Sequence, residues 1–212
     1  MYRTIHTAAE VEFVEKRSRF IGYIRPICAP EEAQEMLAQL RKQHWDARHH
    51  VSAFICREGD IRRCSDDGEP QGTAGMPVLD VLQKAGVCDV AVVVVRYFGG
   101  ILLGGGGLVR AYGHTASLAL SAAGITEMHE GIHAAITCSY AQYGWLQPAV
   151  AAGGGQITDT EFTDDVTVRF SIPSTAWGAL TADITERSAG TLSAVIESEG
   201  FLPILAVEPV SL

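Results

Sequence analysis

Two polar segments in the first half of the chain concentrate side chains that donate, accept or titrate. They are Asp46–His50 and Cys64–Gly75, and the second holds three carboxylates within four consecutive residues. Histidine, aspartate and glutamate are ligand types for divalent ions, so one hypothesis is a metal site. A second hypothesis is hydrolysis, in which Cys64 or Ser65 would be the nucleophile and a neighbouring histidine the base.

Neither chemistry has a defined geometry in the sequence. His49 and His50 are adjacent, so on a strand they would point to opposite faces, and at most one could join the acidic loop. A third interpretation is structural, with the loop aspartates accepting backbone N–H bonds in Asx turns and Arg48 or Arg96 pairing with a carboxylate. Because rigid loops also collect recognition residues, the same network can support a binding surface.

A glycine-rich junction is the second candidate site. Six of the nine residues from Gly99 to Gly107 are glycine, and they follow the buried-strand pattern Val92–Val95. Such a loop can aim successive backbone N–H groups at an anion, and the helix that resumes at Leu108 would add the positive end of its dipole. The alternative is a tight strand-to-helix connection whose glycines permit close packing. Since no Lys-Ser or Lys-Thr follows, the loop is not the common nucleotide-binding type.

The elements that must position these segments indicate a mixed α/β domain over residues 1–127. Apolar spacing predicts one amphipathic helix with an acidic first turn, and Gly86 and Gly124 predict where two further helices end. The predicted helices are Pro30–Gln43, Pro77–Lys84 and Leu108–Ala123, and the predicted strands are Phe20–Ile27, Val51–Cys56 and Val90–Val95, with Ser65–Gly75 as a loop.

Residues 128–212 predict a second, ferredoxin-like domain, because their elements follow the order βαββαβ. We therefore expect a two-domain α+β protein. No group in this half forms a reactive constellation, which favours a small packing or interaction domain. The predicted strands are Gly131–Ser139, Gln156–Glu161, Val166–Ile172 and Thr191–Ser198, and the predicted helices are Tyr143–Ala152 and Thr175–Ser188.

Charge divides unevenly between the two halves. Residues 1–127 hold 14 Lys and Arg against 15 Asp and Glu, whereas residues 128–212 hold 2 against 10, which together give the net charge of −9. The acidic second half repels phosphate backbones, so any RNA contact requires a local basic patch in the first half. Candidates for that patch are Arg41, Lys42, Arg48, Arg57, Arg62 and Arg63.

The sequence also predicts the cellular compartment of the protein. Arg96 interrupts the longest apolar run, and its uncharged remainder is shorter than the roughly 20 residues of a membrane-spanning helix. Charged residues from Glu10 to Arg17 precede any apolar run, so we expect no secretory or transit segment and a cytoplasmic location. Five cysteines without Cys-x-x-Cys spacing favour reduced thiols over disulfides or structural zinc.

Four longer motifs carry a family resemblance. In chain order they are Lys16–Ile21, Asp46–His50, Ser65–Pro70 continued by Gly72–Pro77, and Val93–Gly104. Together they resemble the signature blocks of the IMPACT family, in particular its bacterial YigZ branch, over about residues 16–113. Two positions depart from that pattern, because Gly104–Gly107 replaces Gly-Thr-Gly-Gly and Met76 stands where some members have lysine.

The resemblance implies a first domain like the second domain of a small-subunit ribosomal protein and a second like the fifth domain of elongation factor G. Eukaryotic members of the family are regulators that compete for the scaffold activating an initiation-factor kinase. Bacteria lack that pathway, so the resemblance carries over only translation-linked binding. It implies a non-catalytic protein that contacts the ribosome, RNA or a translation factor. We also expect no cofactor or metal, no membrane association and no evident DNA specificity.

An alternative hypothesis rests on analogy, because the fold implied for the first domain also occurs in small-molecule kinases whose glycine loop binds phosphate. The alternative function is thus an enzyme that binds a small molecule or a phosphate ligand through the glycine loop and the His/Asp/Glu cluster. Under either reading, the candidate binding residues share the two polar segments and the glycine junction. They are Arg48, His49, His50, Ser65, Asp66, Asp67, Glu69, Thr73, Arg96, Tyr97, Gly99, Gly100, Gly104, Gly105, Gly106, Gly107 and Arg110.

Overall fold

A computed structural model describes residues 1–204, which divide into an N-terminal unit, Tyr2–Glu127, and a C-terminal unit, Met128–Ile204. Residues 205–212, the end of the predicted second domain, lie outside the described residues. The fold is α+β in both units, as the sequence predicts.

The strands of the N-terminal unit are β1 (Tyr2–Ile5), β2 (Ala9–Glu15), β3 (Ser18–Pro26), β4 (His49–Cys56), β5 (Ile61–Ser65) and β6 (Val90–Tyr97), and its helices are α1 (Pro30–Gln43), α2 (Gly75–Ala85) and α3 (Gly105–Ala123). Strands β2 to β6 form an antiparallel sheet in the order β2-β3-β6-β4-β5.

Helices cover both faces of this sheet. Side chains of α2 and α3 pack with Val92 and Val94 of β6, whereas α1 packs with Val93 and Val95 on the other face. The central strand is therefore buried on both sides, which explains its uninterrupted run of β-branched residues.

Most sequence predictions for this unit are confirmed within a few residues. The bounds of α1 agree at both ends, and α2 and α3 are followed by Gly86 and Gly124 at the C-cap position. One boundary is wrong, because Gly105–Gly107 form the first turn of α3 and do not belong to the loop. Strands β1, β2 and β5 were not predicted, since they are short or lie at the sheet edge, where burial is incomplete.

The C-terminal unit has the predicted βαββαβ order, with β7 and β8 each paired antiparallel to β9, and β10 paired to β7. Its core includes Ile136, Leu146 and Phe170. The elements are β7 (Ile125–Cys138), α4 (Tyr140–Ala152), β8 (Gln156–Phe162), β9 (Val166–Pro173), α5 (Ser174–Arg187) and β10 (Val195–Ile204).

The last predicted strand, Thr191–Ser198, is misplaced by several residues. Ser188 accepts the hydroxyl of Thr191 through its carbonyl oxygen at 2.7 Å and the backbone N–H of Leu192 through its Oγ at 3.2 Å. These local bonds hold residues 191–194 in an irregular segment, so that the strand begins only at Val195.

Candidate functional site

Four segments that are distant in sequence meet at one end of the N-terminal sheet. The pairing register places Arg19 opposite Tyr97, and His49 opposite Arg96, so β3 and β4 begin where β6 ends. The turn after β2 and the loop after β5 reach the same end. We call residues 15–19, 46–50, 65–75 and 96–110 the strand-end surface.

Asp66 organises the loop that leads into α2. Its carboxylate accepts hydrogen bonds from three backbone N–H groups, those of Gly72 at 2.8 Å, Ala74 at 3.0 Å and Gly75 at 2.8 Å. Burial acts to raise the pKa of Asp66, but the three N–H bonds outweigh it and hold the pKa below its ordinary value. Asp66 is therefore an ionised anchor at the start of α2, and its oxygens are already in use.

Asp67 ties the same loop to β4 and α1. Its backbone is left-handed, with φ of 44°, and its Oδ2 accepts the N–H of His50 at 2.6 Å. Its Oδ1 accepts a hydrogen bond from Arg41 at 2.6 Å, and its carbonyl oxygen lies 2.9 Å from His49 Nδ1. Ser65 Oγ accepts the N–H of Asp67 at 3.3 Å, which forms an ST turn at the start of the loop.

The prediction that at most one of the two adjacent histidines could join the acidic loop is wrong, because both reach it from successive positions of β4. His49 lies on the face of Glu69, with Nε2 at 3.9 Å from Oε1, whereas the ring of His50 faces Asp67 at 3.8 Å. His50 is buried, and its Nε2 finds no partner in the described chain. Burial lowers the pKa of His50, and it prevails over the nearby charge of Asp67, which acts to raise it. We conclude that His50 is neutral at physiological pH.

Glu69 and Arg96 form a buried ion pair beneath the surface. Their side chains are 4% and 6% exposed, and Arg96 Nη1 lies 2.6 Å from Glu69 Oε1. The same oxygen accepts the hydroxyl of Tyr112 at 2.8 Å, and burial, helped by the charge of Glu69, raises the pKa of that phenol far above its ordinary value. Arg96 also donates to Ser18 Oγ at 3.3 Å. Glu69 is thus a committed counter-ion and cannot serve as a free base.

Gly99 joins the glycine junction to the turn between β2 and β3. A side chain at Gly99 would overlap the backbone of Arg17, so only glycine allows this contact. Its N–H donates to Ser18 Oγ at 3.3 Å. Gly100 and Gly104 have φ of 83° and 71°, which favour glycine as well. The geometry of the junction therefore favours the tight strand-to-helix connection over the anion-binding loop.

Most predicted residues come together at the strand-end surface, but at different depths. His50, Glu69 and Arg96 are buried beneath it, so any contribution they make to binding is through positioning. Thr73 donates its hydroxyl to the carbonyl oxygen of Pro70 at 2.6 Å and thereby shapes the loop. The exposed members of the predicted set are Arg48, Ser65, Gly100, Gly104, Gly105, Gly106 and Arg110, and those of intermediate exposure are His49, Asp66, Asp67, Thr73, Tyr97, Gly99 and Gly107.

Tyr97 belongs to a hydrogen-bonded chain on the α1 side of the sheet. Its hydroxyl donates to Asp46 at 3.0 Å and lies 2.9 Å from His44 Nδ1. His44 Nε2 is 2.8 Å from the hydroxyl of Tyr23, which donates to Glu10. This chain fixes the segment that carries Arg48 to the end of α1.

The hydrolytic and metal hypotheses gain no support from the geometry. Burial raises the pKa of the Cys64 thiol, whose Sγ contacts Met76 Sδ at 3.5 Å, so it is not an activated thiolate. Within residues 1–204, no group of three or more His, Cys, Asp or Glu side chains could hold a metal ion. All five cysteines are free.

The structure adds residues that sequence reasoning did not place in the site. Lys16 and Arg17 form the turn between β2 and β3 in left-handed conformations, with φ of 45° and 67°. Phe98 and Leu102, which flank residues 99–101 of the glycine junction, are 47% and 82% exposed. The two consecutive cations can be seen in the sequence, but the residues that lie near them in the fold are set by the strand register. None of the helices in the described part of the chain is long and apolar enough to span a membrane.

Comparisons with known proteins match both units to family models. Residues 16–120 match the Impact N-terminal domain, and residues 136–191 match a domain of unknown function, DUF1949. The chain is 36% identical over 190 residues to IMPACT family member YigZ of Escherichia coli, covering 87% of this chain and 93% of the relative. It is 48% identical over 127 residues to IMPACT family member YvyE of Bacillus subtilis, covering 59% and 58%.

A solved structure described as that of a hypothetical protein is also similar. It shares 32% sequence identity with a TM-score of 0.59, and the match covers 93% of this chain and 97% of that one. The similarity therefore extends through both units and is not confined to the motif-bearing half.

Proposed function

This chain belongs to the IMPACT family, in its bacterial YigZ branch, and from that premise we propose that it is a non-catalytic, translation-linked binding protein whose strand-end surface contacts RNA. The RNA would be free, or part of the ribosome or of a complex with a translation factor. We place the protein in the cytoplasm, where translation takes place.

The observation that carries this proposal is the internal use of every carboxylate in the Asp66–Glu69 loop. Asp66 anchors a helix start, Asp67 bonds β4 and α1, and Glu69 neutralises Arg96. A general base or metal ligand needs a carboxylate that is free to turn toward a substrate or ion, whereas these three are held by the loop, a helix start and a buried cation. The network instead makes the loop rigid, and rigid loops suit recognition.

The exposed charges on the same surface favour a phosphate-bearing partner. Lys16, Arg17, Arg48 and Arg110 are exposed, and none of them has an acidic partner within residues 1–204. When such unpaired cations bind phosphates, they displace the counterions that were condensed on the nucleic acid. The release of these counterions drives association.

Exposed apolar side chains complement these cations. Phe98 lies in the glycine junction, and Trp45, which is 82% exposed, lies beside the segment that carries Arg48. Flat side chains next to cations are the usual combination for single-stranded RNA, whose unstacked bases stack on them. We therefore favour single-stranded segments over duplexes as the contacted element.

The test measures binding of the full chain to a fluorescent single-stranded RNA of about 16 nucleotides by anisotropy, between about 50 and about 200 mM salt. Arg17→Gln/Arg48→Gln should weaken binding and reduce the slope of log K against log salt by about 1.4, which is two phosphate contacts. The matched control Arg25→Gln/Lys84→Gln removes the same charge at the opposite end of the sheet and of α2. It should leave the slope unchanged.

Two results would overturn the proposal. One is absence of RNA binding by the wild-type chain at low salt, together with absence from sedimented ribosomes of its own lysate. The other is an equal loss of affinity in the two double variants, which would show that net charge alone, and not the strand-end surface, drives binding.

A further inference from the structure

A cavity opens between the end of β2 and the first turns of α3, inside the N-terminal unit. Its volume is about 460 Å³, within the usual range of small-molecule sites. Phe13 and Leu103 supply apolar walls, and Gly107 leaves the helix side open because it has no side chain. A surface cleft of this size is large enough to hold a small organic molecule.

The charged groups that line the cavity are mostly cationic. Lys16 and Arg110 both line it, one from the β2–β3 turn and one from α3. Glu15 is the one carboxylate of the lining, and His114 packs edge-on against Phe13, with ring centroids 4.7 Å apart. Two cations against one carboxylate give the lining a net positive charge, to which the amino end of α3 adds.

Neither cation is committed elsewhere. No acidic side chain within residues 1–204 lies in ion-pair distance of Lys16 or Arg110. By contrast, five other arginines of this unit have an acidic partner. A pair of uncommitted cations across a half-apolar cleft is the arrangement that binds a doubly charged anion with an apolar substituent.

We propose that this cavity binds a small organic phosphomonoester. The phosphate lies between Lys16 and Arg110, and the organic part packs against Phe13 and Leu103. Arginine favours phosphate because its planar fork can donate two parallel hydrogen bonds, while lysine adds a point charge. The site does not depend on RNA binding, although the two would compete where a phosphate backbone crosses the same cations.

The experiment titrates the full chain calorimetrically with phenyl phosphate, inorganic phosphate and phenol. Phenyl phosphate should bind most tightly, because it uses both the cations and the apolar wall, and phenol should bind weakest. Lys16→Gln and Arg110→Gln should each weaken phenyl phosphate binding about tenfold or more. Lys84→Gln, which removes an equivalent charge at the far end of α2, should not change it.

A further variant distinguishes binding inside the cavity from nonspecific attraction of phosphate to the surface cations. Phe13→Leu should reduce the preference for phenyl phosphate over inorganic phosphate and leave inorganic phosphate binding unchanged. Thermal unfolding of each variant checks that the N-terminal unit remains folded. Failure of phenyl phosphate to bind the wild-type chain, or equal effects of Lys16→Gln and Lys84→Gln, would overturn the proposal.

The outcome is independent of the RNA experiment. Arg17→Gln/Arg48→Gln should weaken RNA binding and leave phenyl phosphate binding intact, because neither arginine lines the cavity. If RNA binds and phenyl phosphate does not, only the cavity proposal fails. If phenyl phosphate binds and RNA does not, only the proposed function fails.

Discussion

Removal of the charge on Glu69 should destabilise the N-terminal unit strongly. Glu69→Gln keeps the side-chain size, but it leaves the Arg96 guanidinium buried without a counter-charge. Both side chains are less than a tenth exposed, and the lost contact is 2.6 Å long. Breaking one partner of such a buried pair costs about 3–5 kcal/mol. We expect a loss within that range, because the glutamine oxygen can still accept the hydroxyl of Tyr112 but carries no charge to balance Arg96.

Native-state hydrogen exchange of the β6 amides is the appropriate assay. It reports the free energy of opening of this unit without requiring the two units to unfold together. A loss of about 3–5 kcal/mol accelerates exchange between about a hundredfold and a few thousandfold. Amides of β9 in the C-terminal unit serve as the internal reference.

A double variant distinguishes an unpaired charge from a merely poor fit. Glu69→Gln/Arg96→Met removes the buried charge and keeps an oxygen for the hydroxyl of Tyr112. Replacing a buried pair by neutral groups is much less costly than breaking it, so this variant should be more stable than Glu69→Gln alone. The reasoning is refuted if Glu69→Gln costs less than about 1 kcal/mol, or if the double variant is no more stable than the single one.

Two further substitutions test the anchors of the loop and the junction. Because Asp66 has a lowered pKa in the folded chain, its stabilisation is complete above about pH 4 and is lost as pH falls through that lowered pKa. In denaturant titrations, the difference in free energy of unfolding between wild type and Asp66→Asn should therefore decrease below about pH 4. A difference that stays constant down to about pH 2 would contradict this. Gly99→Ala forces a methyl group onto the backbone of Arg17 and should cost about 1–3 kcal/mol in the same assay. Gly106→Ala has room for its methyl group in the first turn of α3, so it should be neutral or stabilising by up to about 1 kcal/mol, and equal losses in the two alanine variants would exclude the overlap as the cause.

Local signals account for the parts of the fold that the sequence predicted well. The bounds of α1 follow from Pro30 and the acidic first turn, and the ends of α2 and α3 follow from single glycines. The strand β2 was missed although its apolar and charged residues nearly alternate, because an exposed edge strand presents only a weak apolar face. Three glycines at 105–107 argued against a helix, yet packing of α3 on the sheet outweighs their low propensity.

Residue chemistry predicted the type of network at the site but not its partners. Asp66 and Asp67 accept backbone N–H bonds, as predicted, but their donors lie at least six residues away, so these are not Asx turns. The pairing of an arginine with a carboxylate is confirmed, and the arginine is Arg96 rather than Arg48. The carboxylate is Glu69, 27 residues away, and the contact of Gly99 with Ser18 spans 81 residues. Such contacts are set by the register of β3, β4 and β6, which no local pattern in the sequence specifies.

The acidic C-terminal unit limits how strongly salt can affect RNA binding. Both of its arginines are committed, since Arg169 pairs with Asp159 and Glu197, and Arg187 pairs with Asp183. Phosphate contacts must therefore come from the N-terminal unit, where four uncommitted cations lie at the strand-end surface. At about 0.7 per contact, four contacts give a slope of log K against log salt no steeper than about −3. A much steeper slope would mean that the bound RNA reaches cations beyond this surface.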